Sequence, residues 1–92
     1  MLVTFRCDAS VNVIFFAEIA VRLLKLMGHS GTIPSALLAK DVAPALKNLK
    51  QAIDDARAHP EDTPGVSIVH RALPLLALLE AAEQHECDVL WD

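Results

Sequence analysis

An apolar run, Val13–Met27 (VIFFAEIAVRLLKLM), predicts a central helix around which the rest of the chain packs. Its charged residues, Glu18, Arg22 and Lys25, are four and three positions apart, so they share one stripe of a helix. Gly28 follows and supplies the left-handed residue that commonly ends a helix. Because the polar stripe is narrow, we expect this helix to be covered on most of its surface.

A membrane-spanning helix is the alternative interpretation of this run, and the sequence argues against it. The run is shorter than the roughly 18–20 apolar residues that a span needs, and it carries charged residues. A signal peptide is disfavoured as well, because a basic start and a small-residue cleavage site are missing. We therefore expect no membrane association.

The two ends of the chain carry the alternating pattern of half-buried strands. In Leu2–Cys7 the apolar residues alternate with Thr4 and Arg6, and Cys87–Trp91 alternates around Asp88. An isolated pair of strands is weak in water, so these two need helices or a partner subunit to cover them. The pattern leaves their relative direction open.

An amphipathic second helix is predicted from Asp41 to about Ala58. Its apolar residues recur at spacings of three and four, which gives one narrow seam. Asp41 is a good N-cap, and Pro44 falls in the first turn, where its missing N–H costs little. The preceding connector, residues 28–40, is rich in glycine and serine; within it, residues 36–38 fit either a single turn or a short strand that adds to the sheet.

A third helix is predicted from Ile68 to about His85, with Ser67 as its cap. Pro74 lies inside it and removes a backbone hydrogen bond, so we expect a kink or a break there. Residues 59–65 (HPEDTPG) predict a loop before this helix. The fold class is therefore helix-rich α+β in the order β-α-α-α-β. A small sheet of the N- and C-terminal strands packs on three helices, the third kinked at its proline.

Composition bounds the class of protein. The 92 residues correspond to a single domain, 53% of them are hydrophobic and 22% are charged, as in a globular chain. The mean hydropathy of +0.37 is high for a small soluble monomer, which favours a homodimer over a monomer whose apolar faces cover one another.

Charge is divided along the chain: residues 1–50 are net positive and residues 51–92 are net negative. We interpret this division as complementary faces of one fold; the alternative is head-to-tail complementarity between subunits. Neither half has a basic cluster with interleaved aromatic residues, so nucleic-acid binding is not expected.

Candidate metal ligands are Cys7, Cys87, His29, His70 and His85. None of them has the local spacing of a zinc motif, so structural thiols and surface histidines are the favoured interpretation and no cofactor is expected. A three-ligand site or a redox pair of the two cysteines is the alternative, since the two strands that carry them could be neighbours. Two cysteines without a secretion signal favour a cytoplasmic, reduced protein.

Two groups of polar residues are candidates for chemistry. Ser67, His70 and Asp88 have the residue types of a nucleophilic triad, but a serine three positions before a histidine is better explained as a helix cap. Arg71 could pair with Asp88 or with the C-terminal carboxylate and hold the last strand to the third helix. The alternative is a small-ligand or partner groove lined by His70, Arg71, Asp88 and Trp91.

Several segments together resemble one known family. They are MLVTFRCDA, VRLLKLMG, ALKNLKQAI, VSIVHRALPLLALLEAA and CDVLWD, and they cover nearly the whole chain. They resemble the bacterial family catalogued as domain of unknown function 1840. That resemblance implies a short, stand-alone bacterial protein, and it implies no catalytic residues.

The sequence thus predicts a non-enzymatic cytoplasmic protein that forms a homodimer and acts through protein–protein interaction, with a further protein partner not identified. A small-molecule or metal-binding regulatory module is the alternative, and an enzyme ranks last. The subunit contact is expected in the all-apolar first turns of the central helix, at Val13, Ile14, Phe15, Phe16 and Ala17.

Overall fold

The computed structural model describes residues 1–58 and 67–92, in which four strands form one antiparallel sheet and three helices pack on it. The strands lie in the order β2-β1-β4-β3. The predicted α+β class is confirmed, with a larger sheet than the two strands expected, while the predicted loop at 59–65 lies outside the described residues. In chain order the elements are β1 (Leu2–Arg6), β2 (Val13–Phe16), α1 (Ala17–Leu26), β3 (Ser35–Leu37), α2 (Ala39–Ala58), α3 (Ser67–His85) and β4 (Val89–Trp91).

The N-terminal and C-terminal strands are neighbours at the centre of the sheet, which confirms the prediction that both ends of the chain build it. β1 and β4 run antiparallel, with Phe5 opposite Trp91. Beyond that pair, the Thr4 N–H donates to the carbonyl of Asp92 at 2.9 Å. The direction that the sequence left open is therefore antiparallel.

The prediction that one helix spans Val13–Met27 is wrong at its start. The first four residues of the run form the edge strand β2, which pairs with β1, and α1 begins at Ala17. The first and third side chains of β2 are buried and the second and fourth are exposed, the period of a half-buried strand. β-branched and aromatic side chains favour this conformation. Because all four residues are apolar, their period was hidden in the sequence.

The short apolar stretch before the second helix is a strand. β3 pairs antiparallel with β4, with Ala36 opposite Leu90 and Leu37 opposite Val89. Of the two alternatives left open for residues 36–38, the added strand is correct, although it begins at Ser35 and ends at Leu37. β4 therefore lies between β1 and β3.

The second helix starts two residues before the predicted cap. α2 begins at Ala39, whose N–H donates to Oδ1 of Asp88 at 2.8 Å. Asp41 lies in the first turn, and its own N–H donates to the carbonyl of Leu38. The first N–H groups of a helix have no carbonyl partner within it, and here a carboxylate 49 residues away in sequence accepts one of them. The sequence alone does not show this contact, because it depends on the folded topology.

The third helix is continuous from Ser67 to His85 and contains Pro74. The expected break is therefore wrong, and the kink stays a prediction. The helix closes through Glu86, which has a left-handed φ of +53°, and through the Cys87 N–H, which donates to the carbonyl of Ala82 at 2.9 Å. This closure usually uses glycine at the left-handed position.

The core lies between the helices and the inner face of the sheet. Three rings of the sheet meet there: Phe5 packs on Phe15 with centroids 5.8 Å apart and on Trp91 at 5.6 Å. Buried leucines of all three helices belong to the same core, and the buried side chains among the described residues are all apolar. In the described part of the chain, no helix has both the length and the apolar character that crossing a membrane requires.

Candidate functional site

The outer face of the sheet, opposite the helices, exposes large apolar side chains. Leu2 is 57% exposed, Ile14 58%, Phe16 64% and Leu90 53%. Each lies at an alternate position of its strand, between residues that point into the core. A monomer can expose single apolar side chains without consequence, but a group of them on one face is typical of an interaction surface.

Strand register brings three of these side chains together. Leu2 of β1 lies directly opposite Phe16 of β2, and Ile14 lies opposite Thr4, one pleat further along. Side chains opposite each other on one face of an antiparallel pair are in contact range. We call Leu2, Ile14 and Phe16 the apolar corner of the outer face.

An ion pair separates the apolar corner from the fourth side chain, Leu90. Arg6 Nη1 lies 3.2 Å from Asp92 Oδ2, and both side chains are 54% exposed. Arg6 is opposite Leu90 in the register. An ion pair this exposed adds little to stability, about 0–1 kcal/mol. Its main effect is to place one positive and one negative charge on this face.

Phe16 occupies a position where another residue type would stabilise the monomer. It is the N-cap of α1, with φ −62° and ψ 145°, and no side chain caps the helix there. Serine, threonine, aspartate and asparagine are preferred at this position because their oxygens accept from free backbone N–H groups. An exposed phenylalanine at an N-cap thus sacrifices local stability, a departure that commonly marks a functional position.

The cysteine pair lies at the opposite end of β1. Cys7 follows β1 and is buried, whereas Cys87 follows α3 and is partly exposed; neither is in a disulfide. Both line a surface cavity of about 310 Å³, whose other side chains include Arg6, Asp8 and Asp88. Partial burial raises the pKa of the Cys87 thiol, and Cys7, Asp8 and Asp88 raise it further.

Trp91 belongs to the core instead of lining a groove. It is 1% exposed, and its indole N–H donates to the carbonyl of Thr32 at 2.9 Å. The ring of His29 packs edge-on against it, with centroids 4.9 Å apart. His29 in turn accepts the N–H of Gly31 at Nδ1, so this histidine supports the connector before β3.

The residues proposed for a groove are therefore placed in different surroundings. His70 and Arg71 are exposed on the first turns of α3, and Asp88 binds the start of α2. The cysteine cavity includes Asp88 alone of the four, and a second cavity, of about 360 Å³ along α2, includes none of them. The groove stays a prediction, and the ion pair found among the described residues joins Arg6 to Asp92 instead of involving Arg71.

The candidate metal ligands and triad residues are also separated by their contacts. Within residues 1–58 and 67–92, no group of three histidine, cysteine or acidic side chains is arranged to hold a metal ion. Asp88, the acid of the supposed triad, is committed to the Ala39 N–H. Nothing is described of the Ser67 side chain, so the cap assigned to it stays a prediction.

The predicted subunit contact is divided by the strand that replaces the helix start. Val13 and Phe15 lie in the chain's own core, and Ile14 and Phe16 belong to the outer face. Sequence reasoning named Ile14 and Phe16 of this face but not Leu2 and Leu90, which join them only through strand pairing, and the subunit contact itself stays a prediction. The available signal was the alternation of apolar residues with Thr4 and Arg6 in β1, which also places Leu2 on the outer face.

Comparison with known proteins identifies a family but no better-known relative. A family model described as a domain of unknown function (DUF1840) matches residues 1–91. No curated protein and no solved structure matches the chain significantly.

Proposed function

The chain belongs to the DUF1840 family, and from that premise we propose that it is a non-enzymatic protein–protein interaction module that forms a homodimer through the outer face of its sheet. The observation that carries this proposal is the apolar corner, three large side chains that are each more than half exposed and adjacent in the register. The proposed setting is the bacterial cytoplasm, which the two unpaired thiols favour because a reducing compartment maintains them.

The energy available from this face supports a weak dimer. Fully burying a large apolar side chain stabilises by about 1.5–3 kcal/mol, so burying the exposed part of each outer-face side chain contributes about 1–1.5 kcal/mol. The four residues occur in both copies and together contribute about 8–12 kcal/mol. Association costs about 4–15 kcal/mol, so only a cost near the lower end leaves a surplus. A surplus of about 4–7 kcal/mol corresponds to a dissociation constant between about 10 µM and 1 mM, which is the range we expect.

A second copy of the chain suits this face because the face complements itself in charge. A twofold axis through the sheet can bring Arg6 of each subunit close to Asp92 of the other. Opposite charges then meet across the interface, and like charges do not. The same axis brings apolar corner against apolar corner, or against Leu90. Two sheets packed face to face about 10 Å apart are a common solution for such faces.

The experiment is a measurement of molar mass against concentration. Light scattering from about 5 µM to about 1 mM covers the expected dissociation constants. We expect the mass to rise from that of the 10.0 kDa monomer towards twice that value. A mass that stays monomeric up to about 1 mM contradicts the homodimer.

Two matched variants locate the contact. Ile14→Lys places a charge in the apolar corner and is expected to abolish the rise in mass. Leu73→Lys makes the same type of change at a 40% exposed leucine of α3, in the helical layer, and is expected to leave the rise intact. Equal effects of both variants contradict the outer sheet face as the interface, and circular dichroism confirms that each variant is folded.

A further inference from the structure

We infer that Cys7 and Cys87 are a redox pair, which small disulfides of neutral or positive charge oxidise to an intramolecular disulfide. The pair lies at the end of β1 remote from the apolar corner. Its cavity also includes Arg6 and Leu90 of the outer face, so the inference is tested on the dissociated monomer. Intracellular disulfides are usually transient and redox-sensing, so this site is one of reversible modification.

The backbone holds both cysteines in fixed positions. The carbonyl of Cys7 accepts the N–H of Ser10 at 3.1 Å, and its Sγ accepts the N–H of Ala9 at 3.4 Å. Cys87 is fixed by the helix closure described above, where its N–H reaches back to Ala82. Since β1 and β4 are paired, the segments that carry the two thiols are adjacent in the fold.

The two cysteines also line one surface cavity. The Sγ of Cys87 donates to the carbonyl of His85 at 3.5 Å. The pairing of β1 with β4 holds the two segments side by side, and forming the bond requires that rotation of the side chains bring the two sulfurs together. Cys87 is the more exposed of the two and is therefore the one an external reagent meets first.

The chemistry is thiol–disulfide exchange in two steps. The Cys87 thiolate attacks one sulfur of the small disulfide, forms a mixed disulfide and expels one small thiolate. The Cys7 thiolate then attacks Sγ of Cys87, forms the Cys7–Cys87 bond and expels the second small thiolate. The two protons lost by the cysteines end on the two released thiols; the protein loses two electrons and the small disulfide gains them.

Charge around the cavity selects among oxidants. Asp8, Glu86 and Asp88 contribute negative charge, and Arg6 is the basic side chain in the lining. Anionic disulfides such as oxidised glutathione are repelled, whereas the dication cystamine is attracted. Desolvation, and after it the charges of Asp8 and Asp88, raise the pKa of the Cys87 thiol, so the reaction is expected to be slow at neutral pH and faster in mild alkali.

The experiment oxidises the reduced full-length chain with cystamine or oxidised glutathione at equal concentration, with the protein at about 2 µM, where the proposed dimer is dissociated. Intact-mass spectrometry is expected to show a product lighter by two hydrogen atoms, formed about tenfold faster with cystamine at low salt. The melting temperature of this product is expected to rise by roughly 10 °C, because the bond closes a long loop.

Single-cysteine variants test the second step. Cys7→Ala is expected to stop at a stable cysteamine adduct on Cys87, and Cys87→Ser is expected to react slowly or not at all, since Cys7 is buried. A persistent adduct on the wild-type chain, a disulfide between two chains, or faster oxidation by glutathione overturns the inference. The apolar-corner variants are not expected to change the rate of disulfide formation. A failure of the dimer proposal, seen in the molar mass, is therefore distinguishable from a failure of the redox pair, seen in the intact mass.

Discussion

Replacing Phe16 with serine separates what the outer face contributes to association from what it contributes to the fold. Serine can cap α1, where no side chain does so now, and this gain is about 1 kcal/mol. The loss is the cross-strand contact with Leu2, about 0.2–1 kcal/mol. We therefore expect the Phe16→Ser monomer to be as stable as the wild type or more stable by up to about 1 kcal/mol.

Association is expected to change in the opposite direction. Phe16 is 64% exposed in the single chain, so burying the rest of it stabilises a dimer by about 1–2 kcal/mol for each copy. The substitution occurs twice in a symmetric interface, and its total effect is about 2–4 kcal/mol. The dissociation constant should therefore rise about 30- to 900-fold.

Two assays on the same samples test this reasoning. Chemical denaturation at about 2 µM reports the stability of the monomer, and sedimentation equilibrium up to about 1 mM reports the association. Leu73→Ser is the control: it truncates a 40% exposed leucine in α3 and should lower stability slightly without changing association. A Phe16→Ser chain that loses more than about 1 kcal/mol as a monomer, or that associates within threefold of the wild type, refutes the argument.

Three further predictions concern the end of α3 and the start of β4. Glu86→Gly should stabilise the chain by about 0.5–1 kcal/mol in urea denaturation, because the left-handed φ strains glutamate; an unchanged or lower midpoint would contradict this. Asp88→Ala should destabilise by about 1–2 kcal/mol, because the Ala39 N–H loses its acceptor, and Asp88→Asn should recover part of that loss. Alkylation of Cys87 by iodoacetamide should be slow at pH 7.5 and rise about tenfold per pH unit in mild alkali, because desolvation and nearby negative charge raise the pKa of this thiol. Asp88→Asn should accelerate it by removing one of the charges that raise that pKa, and equal rates for the two chains would argue against this cause.

Much of the fold was predictable because its signals are local. The alternation in Leu2–Cys7 and the three- and four-residue spacings of the second helix each depend on neighbouring residues alone. The start of α2 was misplaced because the group that binds Ala39 comes from Asp88, at the start of the last strand. Contacts of that kind arise only once the sheet is assembled.

The exposed apolar face of the sheet was predictable only as a segment. In VIFF every residue is apolar, so the sequence shows no alternation of polar and apolar residues although buried and exposed side chains alternate in the strand. Strand pairing then adds Leu2, eleven or more positions away, to the same surface. The cysteine pair is a similar case, since adjacency of Cys7 and Cys87 follows from the pairing of β1 with β4 and from no local spacing.

The place of β4 between β1 and β3 has a consequence for how the chain folds during synthesis. β3 pairs with β4 on its inner side, so the first 88 residues can form the β1–β2 hairpin but leave β3 without that partner. The sheet closes only when residues 89–91 insert between two strands made much earlier, a contact of very long sequence separation. Until that insertion, the strand edges of β1 and β3 are open to other chains, and folding of this small protein is expected to depend on how quickly its last strand arrives.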